Sequence, residues 1–178
     1  MQTTYIVNTA LSSLTLVAEI LVLFLIVSLF LKKDSVIRQK TAKCLPWLAF
    51  ATALIATLGS LTYSEIIGYE PCKLCWLQRI FMYPLAIIFA IALIKREFAR
   101  IIPYALTLSI PGILIAISHY YLQITGSSIF PCSAVGYSAA CSQRFVLQFG
   151  HITIPFMAMM AFAVIILSLT TIYKNRES

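Results

Sequence analysis

Five long apolar segments constrain the fold of this chain more than any other feature. A helix that crosses a bilayer needs about 20 mostly apolar residues, and five stretches meet that requirement, namely 11–31, 45–64, 76–94, 101–124 and 152–173. Hydrophobic residues make up 61% of the chain and charged residues 11%, against about 45–50% and about 25% in typical soluble domains. The sequence therefore predicts an all-α, multi-pass membrane protein.

The basic residues predict how the spans are oriented. The formal charge is +7, but the lysines and arginines form short clusters between apolar runs and not a continuous basic face, so we expect no nucleic-acid partner. The clusters follow spans one, three and five: Lys32, Lys33, Arg38, Lys40, Lys43, Lys95, Arg96, Arg100, Lys174 and Arg176. With five spans they share one side, which the positive-inside rule makes cytoplasmic. The C-terminus is then cytoplasmic, and the loops at 65–75 and 125–151 face outward.

The first span is predicted to be a retained helix and not a cleaved signal peptide. Residues 1–10 carry no positive charge, no A-x-A site precedes Lys32, and the lysines that follow would hold the span as a stop-transfer anchor. Glu19 lies inside this span, where an ionised carboxylate is costly. We expect Glu19 to be protonated or to face the other helices, and its role stays open.

Four of the five cysteines are predicted to lie on the outer side. Cys44 is on the cytoplasmic side, where thiols stay reduced, and is expected to be a free thiol. Cys72 and Cys75 belong to E-P-C-K-L-C-W-L-Q-R in the first outer loop, and Cys132 and Cys141 to C-S-A-V-G-Y-S-A-A-C in the second. Because an oxidising compartment favours disulfides, this segregation indicates two cysteine pairs.

Three kinds of site are compatible with these four cysteines. A four-thiolate zinc site is disfavoured because zinc ligand pairs are usually two to four residues apart, and Cys132 and Cys141 are farther apart. Passive disulfide staples suit that second pair, but a C-x-x-C loop is too short to gain much from cross-linking. We favour thiol–disulfide exchange, because Cys72 and Cys75 lie at a predicted helix N-terminus, where the helix dipole stabilises a thiolate.

Arg79 lies four residues after Cys75, so the two side chains share a helix face. Its guanidinium could stabilise a thiolate or the carbonyl oxygen of an electron acceptor in the membrane; the alternative is a snorkelling arginine at the membrane edge. A dithiol that is reoxidised repeatedly needs an acceptor, and the sequence has neither a C-x-x-C-H haem motif nor a Gly-rich nucleotide loop. A lipid-soluble quinone is the expected carrier. Trp76, Phe81 and Tyr83 either pack around its ring or anchor the helix at the interface.

Four motifs occur in order along the chain: Y-E-P-C-K-L-C-W-L-Q-R-I-F-M-Y-P-L, S-H-Y-Y-L-Q, F-P-C followed by a second cysteine, and F-G-H-I-T-I-P-F. Together they closely resemble the DsbB family of membrane thiol oxidases, above all its short BdbC-type members. The resemblance covers roughly residues 43–174. It implies a four-helix transmembrane bundle with two extracytoplasmic cysteine loops over residues 43–178. Residues 1–42 would add an N-terminal transmembrane helix and a basic cytoplasmic loop.

The resemblance also implies a mechanism in the bacterial cytoplasmic (inner) membrane. Family members oxidise a DsbA-like thioredoxin-fold partner outside the membrane and pass the electrons to a quinone, either ubiquinone or menaquinone. By position, Cys132 matches the cysteine that forms the mixed disulfide with the partner. Cys141 matches the cysteine that closes the loop disulfide and exchanges with Cys72. Cys75 matches the cysteine that contacts the quinone, and Arg79 the arginine that assists there.

His119, near the outer end of the fourth span, is a further candidate for the quinone site. It could bond a quinone oxygen or supply a proton, and the alternative is a histidine satisfied by a structural neighbour. Gln78 and His151 are weaker candidates, Glu65 and Glu70 are interpreted as loop charges, and no metal site is predicted.

Two other functions remain open at the level of sequence. A vitamin K epoxide reductase-like enzyme also joins a loop pair to a C-x-x-C and a quinone, but its loop pair precedes the C-x-x-C in the chain. A non-enzymatic membrane protein with structural outer disulfides would keep its four outer cysteines oxidised whatever thiol substrate is supplied.

Overall fold

The structure, a computed structural model, describes residues 2–30, 36–126 and 141–176. It contains five long helices: α1 (Gln2–Phe30), α2 (Val36–Leu61), α3 (Lys73–Ile94), α4 (Ile102–Thr125) and α5 (Ile154–Arg176). A π-helical turn (Thr62–Ile66) extends α2, and a 3-10 turn (Phe98–Arg100) precedes α4. The five helices include segments long and apolar enough to cross a membrane. The predicted all-α membrane fold is confirmed.

The helices α2 to α5 pack as a four-helix bundle, in which α2 and α4 each contact both α3 and α5. Its interior holds large buried side chains such as Phe89 and Phe162. The contact between α4 and α5 is close at Gly112, where a Cβ atom would lie 2.4 Å from the ring of Phe162. Small residues at such crossings let membrane helices approach each other. The additional helix α1 packs mainly along α5 and touches α2 only lightly.

Two short segments cover one end of the bundle, which we call the cysteine end. They are residues 62–72, between α2 and α3, and residues 141–153, before α5. Three stacked rings join them: the ring centroids of Tyr63 and Tyr69 are 5.8 Å apart, and those of Tyr69 and Phe145 are 4.7 Å apart. The link between α3 and α4, with its basic residues, lies at the other end because α3 runs the length of the bundle from Cys72.

Candidate functional site

Helix α3 begins at the C-x-x-C pair. Cys72 is the N-cap residue, and its sulfur accepts a hydrogen bond from the backbone N–H of Cys75 at 3.4 Å. Both cysteines are free thiols, and their sulfurs lie 3.3 Å apart. Because a disulfide needs about 2.05 Å between sulfurs, a small side-chain movement is enough to join them. The pair is placed for reversible disulfide formation.

His119 of α4 lies directly beside Cys72. Its Nε2 atom is 3.7 Å from Cys72 Sγ and 3.1 Å from the backbone oxygen of Cys141, while its Nδ1 atom is 3.2 Å from Gln78 Nε2. The histidine is only 2% exposed. If the Gln78 amide donates to Nδ1, the ring carries its proton on Nε2 and can donate to Cys141 or Cys72. Gln78, a weak candidate in the sequence, thus orients the imidazole.

These neighbours favour the thiolate form of Cys72. The hydrogen bond with Cys75 is the largest influence, burial opposes it, and His119 adds a hydrogen bond and a favourable electrostatic contribution. Together they lower the pKa of Cys72 from 9.0 to about 4. The thiolate is the nucleophilic form of cysteine, so at neutral pH Cys72 is ready to exchange with a disulfide.

Cys141, in the segment before α5, packs beside Cys72. It is disulfide-bonded, 2% exposed, and packed in one buried cluster with Cys72, Leu74 and Leu122. A cavity of about 20 Å³ is lined by Cys72, Cys141 and His119, among others. Cys132, the other cysteine predicted for this loop, lies outside the described residues. The structure therefore brings Cys72, Cys75, Cys141 and His119 together.

Hydrogen bonds to α4 hold the segment that carries Cys141. The side-chain amide of Gln123 donates to the backbone oxygen of Gln143 at 3.1 Å, and Arg144 Nε donates to the backbone oxygen of Gln123 at 2.8 Å. Further along, the Tyr120 hydroxyl donates to the backbone oxygen of His151 at 3.2 Å. The position of Cys141 is thus fixed by contacts that the sequence pattern did not predict.

Arg79 is held inside the bundle by hydrogen bonds. It is 9% exposed. Its Nε donates to Ser60 Oγ at 2.9 Å, one terminal nitrogen donates to the Ser60 backbone oxygen at 3.0 Å, and the guanidinium lies 5.2 Å from the centroid of the Trp76 ring. The Tyr83 hydroxyl also donates to Ser60 Oγ, at 3.4 Å. Ser60, which the sequence did not single out, fixes the arginine.

A cavity of about 270 Å³ adjoins Arg79 and Cys75. Its polar lining includes Ser60, Gln78 and Arg79, and the rest is largely apolar side chains from α1, α2, α3 and α5. This donor set and these walls fit a lipid-soluble acceptor with carbonyl oxygens. Of the aromatic residues predicted for a quinone site, Tyr83 lines the cavity. In the part of the chain that the structure describes, neither Trp76 nor Phe81 is among its lining residues, and His119 lies on the Cys72 side.

Cys72, Cys75 and His119 could also hold a soft metal ion, because their ligand atoms all lie within 4.8 Å of one another. Thiolate and imidazole are the ligands that Zn²⁺ prefers. Such an ion would engage both sulfurs and so stop them from forming a disulfide.

The chain is similar to known proteins over most of its length. The family model described as "Disulfide bond formation protein DsbB" matches residues 42–172. A "Probable disulfide formation protein C 1" from Bacillus anthracis is 37% identical over 139 residues, which are 78% of this chain and 99% of that protein. A "Disulfide bond formation protein C" from Bacillus subtilis (strain 168) is 46% identical over 121 residues, 67% of this chain and 85% of that protein. No solved structure matches the chain.

Proposed function

Because this chain belongs to the DsbB family and thus has an oxidoreductase role in disulfide formation, we propose that it is a thiol:quinone oxidoreductase. Its protein substrate is a reduced dithiol protein of the thioredoxin fold, similar to DsbA, outside the bacterial cytoplasmic membrane. Its electron acceptor is ubiquinone or menaquinone. The cysteine end then faces outward and the C-terminus is cytoplasmic, as the distribution of lysine and arginine predicts.

The protein substrate is oxidised at the loop pair. A partner thiolate attacks the Cys132 sulfur of the Cys132–Cys141 disulfide, forming a mixed disulfide and releasing the Cys141 thiolate. The second partner thiol then displaces Cys132, so that the partner leaves with a disulfide and the loop pair holds two thiols. Each step breaks one disulfide and forms another, as exchange chemistry requires.

The loop pair is reoxidised by the C-x-x-C pair. The Cys141 thiolate attacks the Cys72 sulfur of a Cys72–Cys75 disulfide, and Cys132 then displaces Cys72, leaving both α3 cysteines reduced. The burial of Cys141 and Cys72 in one cluster supports this transfer. His119 stabilises the released Cys72 thiolate through its 3.7 Å contact and fixes the backbone of Cys141 at 3.1 Å.

The reduced C-x-x-C pair passes its electrons into the cavity at Arg79. A quinone bound there supplies a sink for two electrons and two protons, and the Cys72–Cys75 disulfide forms again. Arg79, fixed by its two hydrogen bonds to Ser60, would hold a carbonyl oxygen near Cys75, while the apolar walls exclude water.

The observation that carries this proposal is that Cys75 contacts both Cys72 and the cavity. On one side its sulfur lies 3.3 Å from that of Cys72, and on the other it lines the cavity shared with Arg79. A structural disulfide does not need a cavity beside it, whereas a thiol–disulfide exchange site needs a place where an electron acceptor can bind.

The first test is quinone reduction by the purified protein. A reduced thioredoxin-fold dithiol protein is added, and the ultraviolet absorbance of ubiquinone or menaquinone is followed over time. We expect turnover in the intact protein and in Cys44→Ser, and its loss in both Cys75→Ser and Cys132→Ser. An intact protein that turns over neither quinone would contradict the proposal and favour structural disulfides.

A further inference from the structure

Helix α1 lies outside the matched region but forms part of the cavity at Cys75. The family match begins at residue 42. The relative from Bacillus anthracis aligns over 99% of its own length with 139 residues of this chain. Helix α1 (Gln2–Phe30) nevertheless packs along α5 while barely touching α2. A slot therefore lies between α1 and α2, and the cavity of about 270 Å³ is lined by residues of both helices.

One end of the α1 wall lies beside the polar groups of the site. A Cβ atom at Gly59 would be 3.2 Å from Leu11 Cδ2, so Leu11 packs directly over this glycine. Gly59 precedes Ser60, whose oxygens accept the hydrogen bonds of Arg79. Leu11 therefore lies next to the polar groups of the cavity.

The rest of the α1 wall is apolar. Leu14, Thr15, Ala18 and Leu21 line the cavity, and the Thr15 hydroxyl is already used, because it donates to the backbone oxygen of Leu11 at 2.8 Å. With a rise of 1.5 Å per residue, Ala18 lies about 10 Å along the helix from Leu11. The cavity thus has polar groups on α2 and α3 and a largely apolar wall on α1.

We infer that α1 is the binding wall for the isoprenoid chain of the quinone, whose ring lies at the Cys75 and Arg79 end. A molecule with a polar ring and an apolar chain matches this division. Because lipid is as apolar as these side chains, the contribution of the wall is close van der Waals packing against the chain. The inference rests on the proposed function and adds to it a chain-selective subsite on a helix that lies outside the family match.

A contact at the cysteine end keeps this wall in place. Glu19 Oε1 of α1 lies 3.2 Å from His151 Nε2, in the segment that also carries Cys141. Farther along α1, Leu25 and Ser28 are buried. On the N-terminal side of Ala18, Ser12 and Thr15 are buried as well. The helix is therefore held on both sides of Ala18, and a larger side chain at this position must take space from the cavity.

The test compares Ala18→Phe with Ala10→Phe, the same substitution at the other alanine of α1, which is exposed and lies outside the cavity lining. Equilibrium binding is measured by quenching of tryptophan fluorescence, and KM from quinone reduction. The ligands are a naphthoquinone without a side chain and the same ring with a chain of several isoprenoid units.

We expect Ala18→Phe to weaken binding of the chain-bearing quinone about tenfold, an ordinary cost of overfilling a packed site. Binding of the chainless quinone should change by less than about twofold, and Ala10→Phe should match the wild type for both.

Several results would overturn the inference. Equal affinities for the chain-bearing quinone in Ala18→Phe and Ala10→Phe would show that α1 does not contact the chain, and an equal loss for both ligands would place the ring there instead. If Ala18→Phe melts well below Ala10→Phe, the smaller Ala18→Leu replaces it with the same expected preference. A wild-type protein that binds neither quinone would overturn the proposed function as well, whereas unaltered chain selectivity in Ala18→Phe overturns the α1 inference alone.

Discussion

Cys72 and Cys75 are neighbours with different surroundings, and the difference supports the different roles proposed for them. Cys72 faces His119 and Cys141 at the cysteine end, whereas Cys75 lines the cavity with Arg79. The local spacing C-x-x-C and the four-residue step to Arg79 were the basis for predicting these three residues, whose roles stay a prediction. The partners His119 and Ser60 lie 47 and 19 residues away from Cys72 and Arg79 in the chain. No periodicity within one helix can predict such contacts, because they depend on how helices pack.

After the hydrogen bond with Cys75, His119 is a further contact that lowers the pKa of Cys72. In the reduced protein, the thiolate should be present at neutral pH and lost as the pH falls through about 4, because the folded pKa lies below the ordinary value of 9.0. Replacing His119 by Ala removes a stabilising contact and should move the midpoint upward by about one pH unit. The measurement is ultraviolet thiolate absorbance against pH in the solubilised protein.

The matched control is His151→Ala, which removes the other histidine of the chain. Its ring contacts Glu19 and Phe156, and the residue belongs to the same segment, 141–153, as Cys141. We expect its midpoint to equal that of the wild type. If the two histidine variants titrate identically, the contact between His119 and Cys72 does not stabilise the thiolate.

Among the secondary-structure elements, α4 and α5 depend on each other through a close crossing. A Cβ atom at Gly112 would lie 2.4 Å from Phe162, whose ring is fully buried. Gly112→Ala should therefore destabilise the fold by about 1–3 kcal/mol, the usual cost of overfilling a packed interior. The expected result is a lower melting temperature in detergent.

Gly59→Ala is the comparison for this change. The added Cβ atom would meet only the Leu11 side chain, at 3.2 Å or more, and the end of a leucine can move aside. We expect its melting temperature to stay close to that of the wild type. If both variants lowered the melting temperature equally, the close crossing of α4 and α5 would contribute no more to stability than the position of one leucine side chain.

The helix limits show what hydropathy can and cannot predict. The sequence placed span one at 11–31 and span two from residue 45, whereas α1 begins at Gln2 and α2 at Val36. Both helices continue through polar residues next to the apolar core, and a search for apolar runs does not detect such extensions. The spans themselves were predicted well because an apolar length of about 20 residues leaves few alternatives to a transmembrane helix.

For the whole molecule, the arrangement of basic residues predicts which end faces the cytoplasm. With the native outer cysteines oxidised, a membrane-impermeant maleimide should label Leu147→Cys from outside intact cells, since this position is exposed at the cysteine end. The same reagent should label the exposed Cys44, or Lys95→Cys, only in inverted vesicles. Labelling of Cys44 in intact cells would reverse the proposed orientation.

The burial of Cys72 limits which thiols can react with it. Only 3% of Cys72 and 2% of Cys141 are exposed, so both residues are shielded from small soluble thiols. In the proposed function, a glutathione-sized molecule that reached Cys72 directly would consume oxidising equivalents supplied by the quinone without making a disulfide in any protein. The packing around His119 would prevent this side reaction and reserve the exchange for a protein that reacts at the loop pair.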